Sequence, residues 1–168
     1  VYTFQANKVL DEGHQGIKTL VDSYNNNQKL WIYPPPTRVG YLWMLAFLMK
    51  IEGYTGAETG AHLSCFFNIL SLLIIIVMGL RFFNKWIALY ALTFISVSPL
   101  ALALGRRAWQ DAVIGGLGFL MVYFCCEITR SPRKLIWDIL LVLTGSCIIL
   151  IKESGAVIYA MCIAWILW

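Results

Sequence analysis

Charge is what this sequence has least of. Only 13% of its 168 residues are Asp, Glu, Lys or Arg, while 60% are hydrophobic, and the mean hydropathy is +0.72. A water-soluble domain carries about 25% charged and about 45–50% apolar residues. So few polar groups cannot cover that much apolar surface, which excludes a soluble globule and with it a soluble cytosolic enzyme. Disorder is excluded too, because disordered chains are poor in apolar residues. The 13 basic and 9 acidic residues form no basic cluster, so the net charge of +4 is no nucleic-acid footprint, and no nucleic-acid partner is expected. Histidine is scarce, and no CxxC pair or His/Cys spacing suited to zinc occurs. A Gly-rich phosphate loop and a Ser-His-Asp arrangement are also missing. Cys65, Cys125, Cys126, Cys147 and Cys162 all fall in apolar stretches and read as small buried thiols.

What is present is a series of apolar runs separated by short charged hinges. Residues 1–38 are polar and mixed, with a helical stripe of Phe4, Val9, Leu10, Ile17, Leu20 and Val21 between Thr3 and Tyr24. Asn25 to Gln28 ends that stripe, and Pro34-Pro35-Pro36 imposes an extended turn. Val39 to Met49 is apolar without a break, yet eleven residues of helix cover only ~16 Å, about half the hydrocarbon thickness. An interfacial helix is therefore expected there, with Tyr41 and Trp43 at headgroup level. The alternative is a full span extended through residues 53–57.

From Thr59 onward the runs approach the length of a bilayer: 59–80, 86–105, 112–126 (extended at its ends by Ala108-Trp109 and Ile128) and 135–151, then a last run that stops at Trp168. Inside lipid every backbone group must be paired within the segment, so these runs are helices. The expected fold is all-α: a polytopic transmembrane helix bundle of about five spans (59–168), preceded by an extracytoplasmic loop carrying amphipathic and interfacial helices (1–58). Pro99 should kink its helix, with Ser96 or Ser98 satisfying the freed backbone. The chain opens on Val1 and stops within AVIYAMCIAWILW, so it reads as an interior piece of a longer membrane protein.

Alternation puts hinges 81–85 and 130–134 on one side and hinges 106–111 and 152–154 on the other. The first pair holds Arg81, Lys85, Arg130, Arg133 and Lys134; the second holds Arg106, Arg107 and Lys152. Positive-inside bias makes the first side cytoplasmic. The polar N-terminal region, the short apolar helix and Asp111 then share the outer side, in a multi-pass protein of a bacterial or archaeal plasma membrane or the endoplasmic reticulum.

Ionisable residues beside membrane segments are costly and mark candidate sites. In GRRAWQD, Arg107 and Asp111 are four apart and share a face if the next helix begins there. They form either a local ion pair capping the hinge or a cation-plus-carboxylate site at headgroup depth. Arginine grips phosphate through its flat fork of donors, and a carboxylate can accept a proton from an acceptor hydroxyl or amine. Arg106, Lys152 and Glu153 fall at the same depth, as interfacial anchors or as parts of that site. Arg38, after the prolines, is either a solvated stop charge or a further member of the cationic group. His14 reads as a surface residue and His62 as an interfacial polar group at the start of a span.

The order of these segments carries a resemblance. The loop and helix YPPPTRVGYLWMLAFLMKIEGYTG precede a span from AHLSCFFNIL to LRFFNKW, then one ending SPLALALGRRAWQDA, then one closing at IKESG. This order resembles the N-terminal half of the GT-C membrane glycosyltransferases, nearest the dolichyl-phosphate-mannose protein mannosyltransferase-like group with its aminoarabinose and lipid A sugar transferases. The resemblance implies an enzyme that moves a sugar, with inversion, from a polyprenyl-phosphate carrier to a lipid, glycan or protein acceptor on the extracytoplasmic face. It also implies an essential Asp a few residues before a Tyr-x-x-x-Ala element. Tyr2 and Ala6 fit that element, which would put the principal catalytic Asp upstream of Val1; Asp11-Glu12 is the alternative match. The family's second acidic position corresponds to Asp111. Its basic position beside Pro-Pro-Leu is replaced here by Tyr33 or Pro34, with Arg38 following, so neither the lysine role nor a metal is carried over. No cofactor is assigned. The site set is then Asp111 as the catalytic carboxylate present, with Arg38, Arg106, Arg107, Lys152 and Glu153 binding lipid phosphate or sugar. Two other classes remain open: a transporter or flippase segment, which would place charged or broken helices at mid-membrane, and a non-catalytic membrane scaffold.

Overall fold

A computed structural model describes residues 1–33, 35–53, 55–107, 109–131 and 135–168. Pro34 of the triple proline, Tyr54 and Ala108 at run edges, and Arg133 and Lys134 of the charge comparison lie outside the described residues. The described chain is all-helical, without strands.

The polar N-terminal region is not one helix. It forms α1 (Tyr2–Glu12) and α2 (His14–Asn26), divided at Gly13, whose φ of +60° suits glycine and turns the chain back. Gly16 makes the return possible: a Cβ there would lie 2.5 Å from the Lys8 carbonyl oxygen. Ala6, Val9, Ile17 and Leu20 are buried, whereas Phe4 of the expected stripe is exposed. A 3-10 turn (Gln28–Ile32) follows, its start held by the Asn27 side chain accepting from the Lys29 amide.

The short apolar helix is α3 (Val39–Glu52). Tyr41, Leu42, Leu45, Ala46 and Met49 form its buried face against α1, α4 and α8, while Trp43, Phe47 and Ile51 face outward. It begins flush against the end of α8 (Leu135–Ile151): a Cβ on Gly40 would come within 3.0 Å of the Leu150 backbone. That contact fixes the approach of Arg38, one residue before the helix.

Two helices are long and apolar enough to cross a membrane, α4 (Ala57–Phe82) and α7 (Gln110–Arg130). They run parallel, because Ser64 meets Trp109 near one end and Arg81 meets Glu127 near the other. Gly116 lets Phe67 pack directly on the α7 backbone. The exposed face of α4 reads Phe66, Ile69, Leu73, Val77 and Leu80, a helical-period apolar stripe that water would not solvate and lipid would.

Between them lie α5 (Lys85–Ser96) and α6 (Pro99–Gly105), which together pass as one span bent by 64°. Asn84 caps α5, its side chain accepting from the Trp86 and Ile87 amides at 3.0 Å each. The kink expected at Pro99 is thus a break. Pro99 opens α6, and Ser98 caps it by accepting from the Ala101 amide, while Ser96 donates to the Thr93 carbonyl one turn back. The two further apolar helices are shorter, α8 with 17 residues and α9 (Gly155–Leu167) with 13. Two or three described helices therefore meet the length and composition of a span.

Candidate functional site

The beginnings of α1, α3 and α7 and the last turn of α8 meet at one end of the bundle. They border an open cavity of ≈ 330 Å³ lined by Tyr2, Arg38, Trp109, Gln110, Asp111 and Lys152. The loop entering α7 is fixed from two sides. Ser64 on α4 donates to the Trp109 carbonyl at 3.1 Å, and Gly105 packs so closely on Asn68 that a Cβ would lie 2.8 Å from its Nδ2.

Across the cavity the Lys152 ammonium donates to Asp111 Oδ1 at 2.7 Å, joining the end of α8 to the start of α7. The expected local pair between Arg107 and Asp111 is not the contact made. Arg107 precedes the helix, and its guanidinium stacks 5.0 Å from the Trp109 ring centroid. Arg106 is exposed beside it. Glu153 is exposed outside the cavity, where Thr37 donates to its Oε1 at 3.4 Å.

Arg38 turns its guanidinium to the Tyr2 hydroxyl, which accepts from Nη1; Tyr2 in turn meets the Tyr41 ring edge-on at 5.1 Å. Burial raises the Tyr2 pKa above that of a free phenol, although the Arg38 cation pulls it the other way. Burial also raises the Tyr41 pKa, with Tyr2 and the Asp111 charge adding to the shift. Both hydroxyls therefore stay protonated at neutral pH.

Three buried polar atoms near this end have no hydrogen-bond partner among the described residues: Arg38 Nε, the Tyr41 hydroxyl and Gln110 Oε1. Of the residues picked out from sequence, Arg38, Asp111 and Lys152 meet at the cavity, and Arg106, Arg107 and Glu153 do not line it. Sequence reading passed over Tyr2 as a site residue and Gln110 altogether. Gln110 adjoins Asp111 at a helix start, which was the available signal.

A second cluster marks the opposite end. Glu127, 1% exposed, is gripped by the Arg81 guanidinium, with Nη2 donating to Oε2 at 3.0 Å. Arg130 donates to the Arg81 carbonyl at 3.1 Å. Glu127 was not singled out from the sequence. A further pair, His62 with Glu52 at 3.0 Å, ties α4 to the end of α3.

Among the described residues no group of three His, Cys, Asp or Glu side chains comes together as a metal cage. The cavity offers a single carboxylate and neither imidazole nor thiolate, so no step is routed through a metal. Comparison with protein-family models, curated proteins and solved structures finds no match.

Proposed function

We propose that this chain is part of an integral-membrane glycosyltransferase that takes a sugar from a polyprenyl-phosphate carrier and passes it, with inversion, to an acceptor on the extracytoplasmic face. One observation carries the reading: two cations, Arg38 and Lys152, share a single cavity with one carboxylate, Asp111, at one end of an apolar helical bundle.

A lipid-linked donor holds its phosphate at headgroup depth, at the boundary between apolar helix and polar loop. Cleaving the bond from sugar to phosphate passes through an oxocarbenium-like state while charge accumulates on the departing phosphate. Arg38 and Lys152 stabilise that charge as it develops, which lowers the barrier more than uniform binding would. Arg106 and Arg107, exposed on the loop ahead of α7, draw the anionic headgroup in. Asp111 orients the acceptor or tunes the principal base. The segments 86–105, 135–151 and 155–168 complete a polytopic bundle, and residues 1–58 form its first outer loop.

A transporter would use the break at Val97–Ser98 as a mid-membrane binding element. The hydroxyls at that break are engaged by the chain itself, Ser96 donating to the Thr93 carbonyl and Ser98 accepting from the Ala101 amide, and Phe94, Val97 and Leu100 beside them are exposed and apolar.

The test is Asp111→Asn in the full-length protein, assayed for sugar transfer in membranes at equal expression. Transfer should fall by about 100-fold or more. Unchanged transfer would remove Asp111 from the site, and polyprenyl-phosphate binding unaffected by Arg38→Met would remove the phosphate assignment.

A further inference from the structure

We infer that Gln110 reads a sugar hydroxyl beside the phosphate held by Arg38, which makes it a specificity-determining residue of the cavity. The inference rests on the lipid-phosphate-sugar reading of the same site.

Gln110 is the first residue of α7, is 4% exposed, and lines the cavity. Its Oε1 has no donor among the described residues. A buried amide oxygen is rarely left so, because it loses water on folding and gains nothing in exchange. Arg38, on the same cavity, has the opposite need: its buried Nε has no acceptor. Lys152 donates to Asp111 Oδ1, and neither side chain bonds to Gln110 Oε1 or Arg38 Nε. A ligand that completes the pocket therefore brings an anionic oxygen for Arg38 and a hydrogen-bond donor for Gln110.

Charge narrows the class. Arg38 and Lys152 against Asp111 leave the ionised lining residues with one net positive charge, which a singly charged phosphodiester neutralises. A phosphodiester with plain alkyl arms answers Arg38 alone. One carrying a sugar answers both, since its ring hydroxyls donate close to the phosphate. Losing a hydroxyl that a buried site is built to hold costs more than losing a methylene, so this contact discriminates between ligands.

The experiment uses the full-length protein in nanodiscs and four dodecyl phosphodiesters of equal charge and tail: mannosyl, glucosyl, galactosyl and methyl. At least one glycosyl diester should bind about tenfold more tightly than dodecyl methyl phosphate. Gln110→Met should erase that margin and leave dodecyl methyl phosphate within about twofold of its wild-type affinity. If no glycosyl diester outbinds the methyl diester in the wild-type protein, a comparison independent of how any variant folds, the Gln110 assignment is overturned while the phosphate reading stands. A margin that survives Gln110→Met overturns it equally. If none of the four binds, the lipid-phosphate reading itself falls. Tail-free methyl mannosyl phosphate separates the sources, and binding as tight as that of the tailed ligand would overturn a lipid-linked one.

Discussion

Lys152 and Asp111, 41 residues apart in the chain, meet at 2.7 Å and close the polar end of an otherwise apolar bundle. Their side chains are 27% and 42% exposed, so water screens the pair. In a double-mutant cycle of Lys152→Met and Asp111→Asn the stability coupling should be about 0.5–1 kcal/mol. Transfer activity should fall far more steeply than stability in both single variants. A coupling of several kcal/mol with unaltered transfer would make the pair structural.

The ion pair at the other end should behave asymmetrically. Glu127 is buried, whereas the Arg81 side chain is 45% exposed. Arg81→Met leaves the Glu127 carboxylate with only the Tyr123 hydroxyl and the nearby Arg130 charge, and should be the more destabilising of the two changes. Glu127→Gln leaves an arginine that water can reach and should cost about 1 kcal/mol. Thermal unfolding in detergent gives the order, and a reversed order would contradict the packing of Glu127.

Gly40 sets the distance between α3 and α8. Gly40→Ala must push back the Leu150 backbone and should cost about 1–2 kcal/mol. It also carries Arg38 away from Lys152, so binding of dodecyl methyl phosphate should weaken by more than the loss of stability explains. Equal affinity in wild type and variant would show that this contact does not position Arg38.

Tyr41 carries a buried hydroxyl without a partner among the described residues. Tyr41→Phe should therefore leave stability unchanged or raise it by up to about 1 kcal/mol. The native pKa of Tyr41 is raised, so the native state keeps a proton that the unfolded chain releases near pH 10. That contribution is intact below about pH 10 and is lost as pH climbs through the native value. The Tyr41→Phe protein should accordingly lose less stability above about pH 10 than the wild type, as pH-dependent unfolding would show.

Much of this end of the molecule was legible because charge is so sparse. In a chain this apolar, Arg38, Asp111 and Lys152 stand out one by one, and alternation of the runs assigns them to one side before any contact is known. Their partners were not legible. Local spacing suggested Arg107 for Asp111, but Arg107 lies ahead of the helix, and the contact came from α8 instead. Glu127 escaped because its partner, Arg81, lies 46 residues away in the chain. The break at Gly13 was hidden under a continuous apolar stripe, since the stripe records which residues are buried and not where the axis turns.

The central claim is that Arg38, Arg106 and Lys152 face one side of the membrane and Arg130 the other. Single-cysteine variants of the full-length protein, with native cysteines replaced by serine, test it through labelling by a membrane-impermeant thiol reagent. Arg38→Cys, Arg106→Cys and Lys152→Cys should label from the extracytoplasmic side in intact cells, and Arg130→Cys only after the membrane is opened. Labelling of Lys152→Cys and Arg130→Cys from the same side would contradict the account.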